Sequence, residues 1–185
     1  MIDLETDIFD MQIISLGLGE NNTVSCKLLE KTLNETNTKV SSISSEILTY
    51  ESEEKILTGD YDLLKQRLIL TRIRIWLVAT RLNEYCNYNY TSILYFYSID
   101  GKCDRCQQQG TITSYVSEIS NGNVQVSAID VNEGLAVVRA LKEIYNVTTT
   151  PTLIFNSVEI HRGFMDKNSM IEKVCSYHNY SDLCK

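Results

Sequence analysis

Four residues, Cys103-Asp104-Arg105-Cys106, separate a β-branched and aromatic run from a helical stretch, and no other feature constrains the fold of this chain as much. Ser92–Tyr97 (SILYFY) has the composition of a buried strand, while Cys106 to about Ile119 carries helical spacing. A CxxC pair at such a turn aims its first sulfur at unpaired backbone N–H groups and at the positive end of the helix dipole. Both favour thiolate over thiol. Cys103 is therefore the expected nucleophile, and Cys106, in the first helical turn, the thiol that resolves a mixed disulfide. Structural zinc knuckles use the same spacing, so Cys103-x2-Cys106 with Cys175-x2-His178 stands as an alternative Cys3His set.

The elements that follow alternate. Val124–Ile129 reads as a second strand, and Leu135–Tyr145 as a helix with Leu135, Val138, Leu141 and Ile144/Tyr145 on one face. Thr152–Phe155 and Val158–Arg162 form a hairpin around Asn156-Ser157, and Lys167 to about Tyr177 closes as a helix. The order is β-α-β-α-β-β-α, the pattern of an α/β unit. The chain's single proline, Pro151, stands just ahead of Leu153-Ile154-Phe155. Average usage is about 5 %, so one proline at the start of a buried strand implies a specific duty. Proline cannot donate to a ladder there, and a cis turn is a natural solution.

The first half reads differently. Up to Cys86 there is no proline, and apolar residues recur at helical spacing. Val24 to about Thr49 is a weakly amphipathic helix with a break expected around Asn34–Thr38. The Thr58-Gly59-Asp60 turn, with Asp60 as N-cap, precedes a stronger helix from Tyr61 to about Tyr85. Its polar face carries Lys65, Arg67, Arg72, Arg74 and Arg81; Trp76 is assigned to its core side. These helices are expected to pack as an antiparallel hairpin, against each other or against the second half. With the junction at Asn83–Tyr90, a helical extension covers 1–88 and the α/β domain 89–185. Cys26 and Cys86 flank the hairpin, whose ends converge. A disulfide between them would close about 60 residues and contribute roughly 3–4 kcal/mol; the alternative is two buried free thiols. Cys175 and Cys184 are expected to pin the C-terminal tail, the alternative being a frayed tail. His161 is read as a surface residue of the hairpin.

The segments ILYFYSIDGKCDRC, VSAIDVNEG and ALKEIYNVTTTPTLIFN, followed by Gly163, resemble the thioredoxin fold over roughly residues 90–178. The resemblance implies an active-site disulfide at Cys103 and Cys106 beside a cis-proline at Pro151. It also implies that Thr150 presents its backbone to a bound substrate chain, with Asp104 and Arg105 facing that substrate between the two cysteines. Its topology places Cys175 on the last helix, away from the CxxC turn, which weighs against the zinc set; no metal and no organic cofactor are expected. The chain departs from the family pattern at several positions. Lys102 replaces the Trp before the first Cys, and Asp104-Arg105 the Gly-Pro between the two. Tyr97 stands where the family has a buried Asp, Val126 about where it has the Lys partner, and no His lies in the motif. A looser likeness, carried by the helices ahead of the domain and the ILYFYS segment, is to archaeal membrane-anchored thioredoxin-like proteins. The implied activity is thiol–disulfide exchange with protein thiols and a redox partner protein. The rival is a binding or scaffold module with a structural CxxC disulfide, favoured by the missing Asp.

A formal net charge of −7 without a basic stripe argues against nucleic-acid binding. The most apolar stretch, Leu68–Ala79, is short and contains Arg72 and Arg74, whereas a membrane span needs about 20 apolar residues. Asp3, Glu5, Asp7 and Asp10 make the N-terminus unlike a signal peptide. Taken literally, the chain is cytoplasmic. The even cysteine count points instead to an oxidising compartment. Sequons at Asn21, Asn34, Asn89, Asn146 and Asn179, against about two or three by chance, add slight support. The expectation is an extracytoplasmic domain, exported or held by an anchor outside this chain.

Overall fold

In the computed structural model, residues 23–184 are described. The acidic stretch with Asp3, Glu5, Asp7 and Asp10 and the sequon at Asn21 lie outside them. Helix α1 (Thr23–Ser52) runs unbroken through Asn34–Thr38, where the sequence predicts a break. The hydroxyls of Thr36, Thr38, Ser41 and Ser45 donate to carbonyls four residues back, so they bond along the helix instead of competing with it. Leu29 and Leu33, which precede that segment, are buried against the next helix. Helix α2 (Gly59–Cys86) begins earlier than expected, because Thr58 and not Asp60 is its cap. The Thr58 hydroxyl accepts the Tyr61 N–H at 3.3 Å. Asp60 and Asp62 then fall in the first turn, where carboxylates favour the helix dipole. Leu29 and Leu33 meet Ile75, Val78, Ala79 and Leu82, and farther along Ile43 and Ile47 meet Leu64. The converging ends are joined by a Cys26–Cys86 disulfide with Cα atoms 5.6 Å apart.

Strand β1 (Thr91–Tyr97) lies inside a four-stranded sheet of order β2-β1-β3-β4. It pairs in parallel with β2 (Val124–Asp130) and antiparallel with β3 (Thr152–Phe155), which pairs antiparallel with β4 (Glu159–Arg162). Asn156 and Ser157 both adopt the left-handed conformation that a two-residue hairpin turn demands. Alternation along β1 sends Ile93 and Tyr95 to one face and Leu94 and Phe96 to the other. The first face is covered by α3 (Cys106–Ile119) and α5 (Lys167–Cys175) through Val116, Met170 and Val174. The second is covered by α4 (Ala136–Ile144) through Val138 and Leu141, and by Ile69, Ile73 and Trp76 of α2. This is an α/β, thioredoxin-like arrangement with a helical part ahead of it, and α2 supplies one of its covering layers. The tail after α5 folds back through a Cys175–Cys184 disulfide, which places Tyr180 and Leu183 in the core. No helix among the described residues is long and apolar enough to cross a membrane.

Candidate redox site

Cys103 ends the loop that leaves β1, and Cys106 opens α3; the two are joined by a disulfide with Cα atoms 5.5 Å apart. Their surroundings differ. Cys106 is only 6 % exposed, whereas Cys103 is half-buried, and Asp104 and Arg105 between them are exposed. Arg105 at the helix cap makes no side-chain capping bond, and Cys106 is the first residue of α3. Cys103 is the more accessible residue of the pair.

The support beneath the motif comes from β1. The Tyr95 hydroxyl donates to the Cys106 carbonyl at 2.6 Å, which fixes the first turn of α3 against the sheet. Its ring lies 5.6 Å from that of Tyr97. Tyr97, at the strand end where the resemblance has a carboxylate, is hydrogen-bonded to the Arg72 guanidinium and stands opposite Asp130 across the ladder. Burial raises the pKa of the Tyr97 hydroxyl, and the Arg72 charge opposes that rise. Arg72 is itself lowered by desolvation, and also donates to the Ala128 carbonyl at 3.2 Å. The sequence places Arg72 on the polar face of its helix; the structure turns it toward the sheet. Arg72 falls three residues after Ile69 and four before Trp76, on the helical face that packs on the sheet.

The Thr150–Pro151 peptide bond is cis. Pro151 is buried, Thr150 is half-buried, and the Pro151 carbonyl accepts the Gly163 N–H at 2.8 Å. Gly163 has φ +93°, a backbone region that a side chain would strain. A groove of about 500 Å³ runs from Asp100 and Lys102, just before Cys103, past Asn132 and Lys142 to Thr148–Thr150. Asp100 accepts from the Ser98 hydroxyl and pairs with Lys102 at 3.0 Å, and these bonds hold its carboxyl down to about 2. On the other side of the motif the Arg105 guanidinium lies 4.6 Å over the Phe164 ring. One turn on, the Gln109 Oε1 accepts the Met165 N–H at 2.8 Å. Segment 163–165 thus ties the cis-proline turn to the first turns of α3.

Of the residues expected at the site, Thr150 lines this groove, Cys103 follows its Lys102 in the chain and Pro151 follows its Thr150, while Asp104 and Arg105 are exposed. Cys26–Cys86 and Cys175–Cys184 lie in the helical hairpin and the C-terminal tail, outside it. The Cys103, Cys106, Cys175 and His178 set is not brought together: its three sulfurs are spent in two separate disulfides, and no metal-binding cluster occurs among the described residues. His161 lies half-buried on β4, with Nε2 3.5 Å from the Phe164 carbonyl. The sequence singled out neither Tyr95 nor Gln109, and it placed Arg72 only on the polar face of its helix.

No family model matches the chain, and no curated protein matches it. Solved structures resemble its α/β part. A malarial protein is 19 % identical with a TM-score of 0.41, the match covering 48 % of this chain and 98 % of that one. Thioredoxin-2 of the malaria parasite is 20 % identical with a TM-score of 0.41, over 48 % and 84 % of the two chains. Thioredoxin O2 from Arabidopsis thaliana, in its oxidised state, is 19 % identical with a TM-score of 0.43, over 56 % and 87 %.

Proposed function

We propose that this protein exchanges disulfides with protein thiols through Cys103 and Cys106, in an oxidising compartment outside the cytosol. The observation that carries the reading is the inequality of the two cysteines: Cys103 is half-buried just ahead of a helix N-terminus without a side-chain cap, Cys106 is buried, and a groove lined by Lys102 and Thr150 adjoins them in sequence. In the reducing direction, the Cys103 thiolate attacks one sulfur of a substrate disulfide and one substrate thiolate leaves with a proton. The Cys106 thiolate then attacks the Cys103 sulfur. The second substrate thiolate departs, and the Cys103–Cys106 bond closes. Run backwards, the same steps oxidise a dithiol. Thr150 and Pro151 shape the groove, Asp104 and Arg105 face the substrate chain, and a second protein resets the motif. Three disulfides in one chain support the oxidising setting.

A second reading is a binding module with a structural CxxC bridge. It is favoured by Tyr97, a tyrosine bonded to Arg72 where a proton-relaying carboxylate would otherwise stand. Titrating the Cys103–Cys106 couple against glutathione separates the two. A potential between about −120 and −270 mV, with turnover of a protein disulfide lost in Cys103→Ser, supports exchange. A potential below about −300 mV without turnover supports the structural bridge.

A further inference from the structure

Of three consecutive glutamines opening α3, Gln107 and Gln108 are exposed and Gln109 is completely buried. A buried primary amide costs free energy unless both ends are bonded. One end is. The Oε1 atom takes the Met165 N–H at 2.8 Å, while Nε2, also buried, meets no acceptor among the described residues. Position decides what that orphan donor can reach. Gln109 lies three residues after Cys106 on the same helix, and long helical side chains lean back toward the N-terminus, over the turn three or four residues before. The turn it covers holds Cys106, itself 6 % exposed. A disulfide sulfur is a poor acceptor, whereas a thiolate is a strong one, and a buried thiolate without a donor is costly.

We propose that Gln109 donates a hydrogen bond from Nε2 to the Cys106 thiolate whenever the Cys103–Cys106 bond is open, supplying the polar partner that Tyr97 does not provide as a carboxylate. The proposal rests on the redox reading of the motif. A substrate dithiol opens the bond by becoming a disulfide, and its two protons and two electrons pass to Cys103 and Cys106. Cys106 must then lose its proton to attack the Cys103 sulfur in the next mixed disulfide. The Gln109 amide stabilises that ionised state while its Oε1 stays fixed on Met165. The donor therefore points from a rigid base, and the amide that is unsatisfied in the oxidised protein is satisfied in the reduced one.

The test follows the Cys106 ionisation in the full chain carrying Cys103→Ser, which leaves Cys106 as the motif's one thiol, by the 13Cβ resonance of labelled cysteine against pH. Gln109→Met keeps the volume and removes the donor, and should weaken the acidity of Cys106 about tenfold, as expected for a hydrogen bond to a charged group. An unmoved midpoint overturns the proposal. Should Gln109→Met fail to fold, the Gln109 side-chain N–H resonances of the protein with native Gln109 provide the second measurement. They should shift with the Cys106 midpoint, and resonances indifferent to that titration overturn the proposal equally. Turnover of a protein disulfide by the unmodified chain is measured beside it. Its absence, with Gln109 still following Cys106, sinks the exchange reading and leaves the hydrogen bond standing.

Discussion

Cys103 and Cys106 share a bond but not an environment, and once reduced they should behave as different reagents. Alkylation at mildly acidic pH, mapped by mass spectrometry, should label Cys103, because Cys106, in the first turn of α3, is buried. Preferential labelling of Cys106 would reverse the roles assigned to them. Asp100, three residues beyond β1, gives a pH signature. Hydrogen bonds from Ser98 and Lys102 depress its carboxyl to about 2, below the unfolded value of about 3.9. A depressed carboxyl contributes fully above its unfolded pKa and is lost as pH falls through the folded one. The Ser98–Lys102 loop should therefore hold its arrangement down to about pH 4 and loosen between about pH 4 and 2, visible in the Asp100 and Lys102 resonances. A loop unchanged at pH 2 would contradict this. The two cysteines were legible in the sequence because spacing and a strand–helix boundary sufficed. Arg72 was not, since a long cationic side chain on an apolar face reads as solvated until the sheet beneath it is known.

Between elements, the main joints are α1 against α2 and α2 against the sheet. The Cys26–Cys86 bridge closes a loop of sequence separation 60, so replacing both cysteines with serine should lower stability by about 3–4 kcal/mol in urea unfolding. No change in midpoint would mean the packing of α1 on α2 suffices without it. Leu82 is fully buried between α1 and α2, and Leu82→Ala should cost about 2–5 kcal/mol in the same assay through the cavity it leaves. Helix periodicity foretold both helices. Their details needed the structure: α1 passes Asn34–Thr38 without a break because serine and threonine hydroxyls bond to the preceding turn, and α2 starts at Gly59 because Thr58 is in an extended conformation and caps it.

At the scale of the molecule, α2 belongs to two layers at once, packed on α1 and on the sheet. Ile69, Ile73 and Trp76 share a cluster with Leu94, Phe96, Ile129 and Ile154, and the Trp76 ring meets Tyr145 edge-on at 6.1 Å. A chain beginning at Asn89 would uncover the part of that face packed under Ile69, Ile73 and Trp76. It should bind a hydrophobic dye and unfold without a cooperative transition; a sharp thermal transition in calorimetry would show that the α/β part stands alone. Trp76, the single tryptophan, makes the same joint observable in the full chain. The order of strands and helices, the CxxC turn and the hairpin around Asn156-Ser157 were determined by the sequence itself. Each depends on periods and turn residues that act within a few neighbouring positions. Only the tertiary structure decided that α2 covers the sheet, that Arg72 meets Tyr97, and that Gln109 is buried while its two neighbours are not. Those facts depend on which face of one element meets another, and contacts between residues far apart in the chain leave no local period to read.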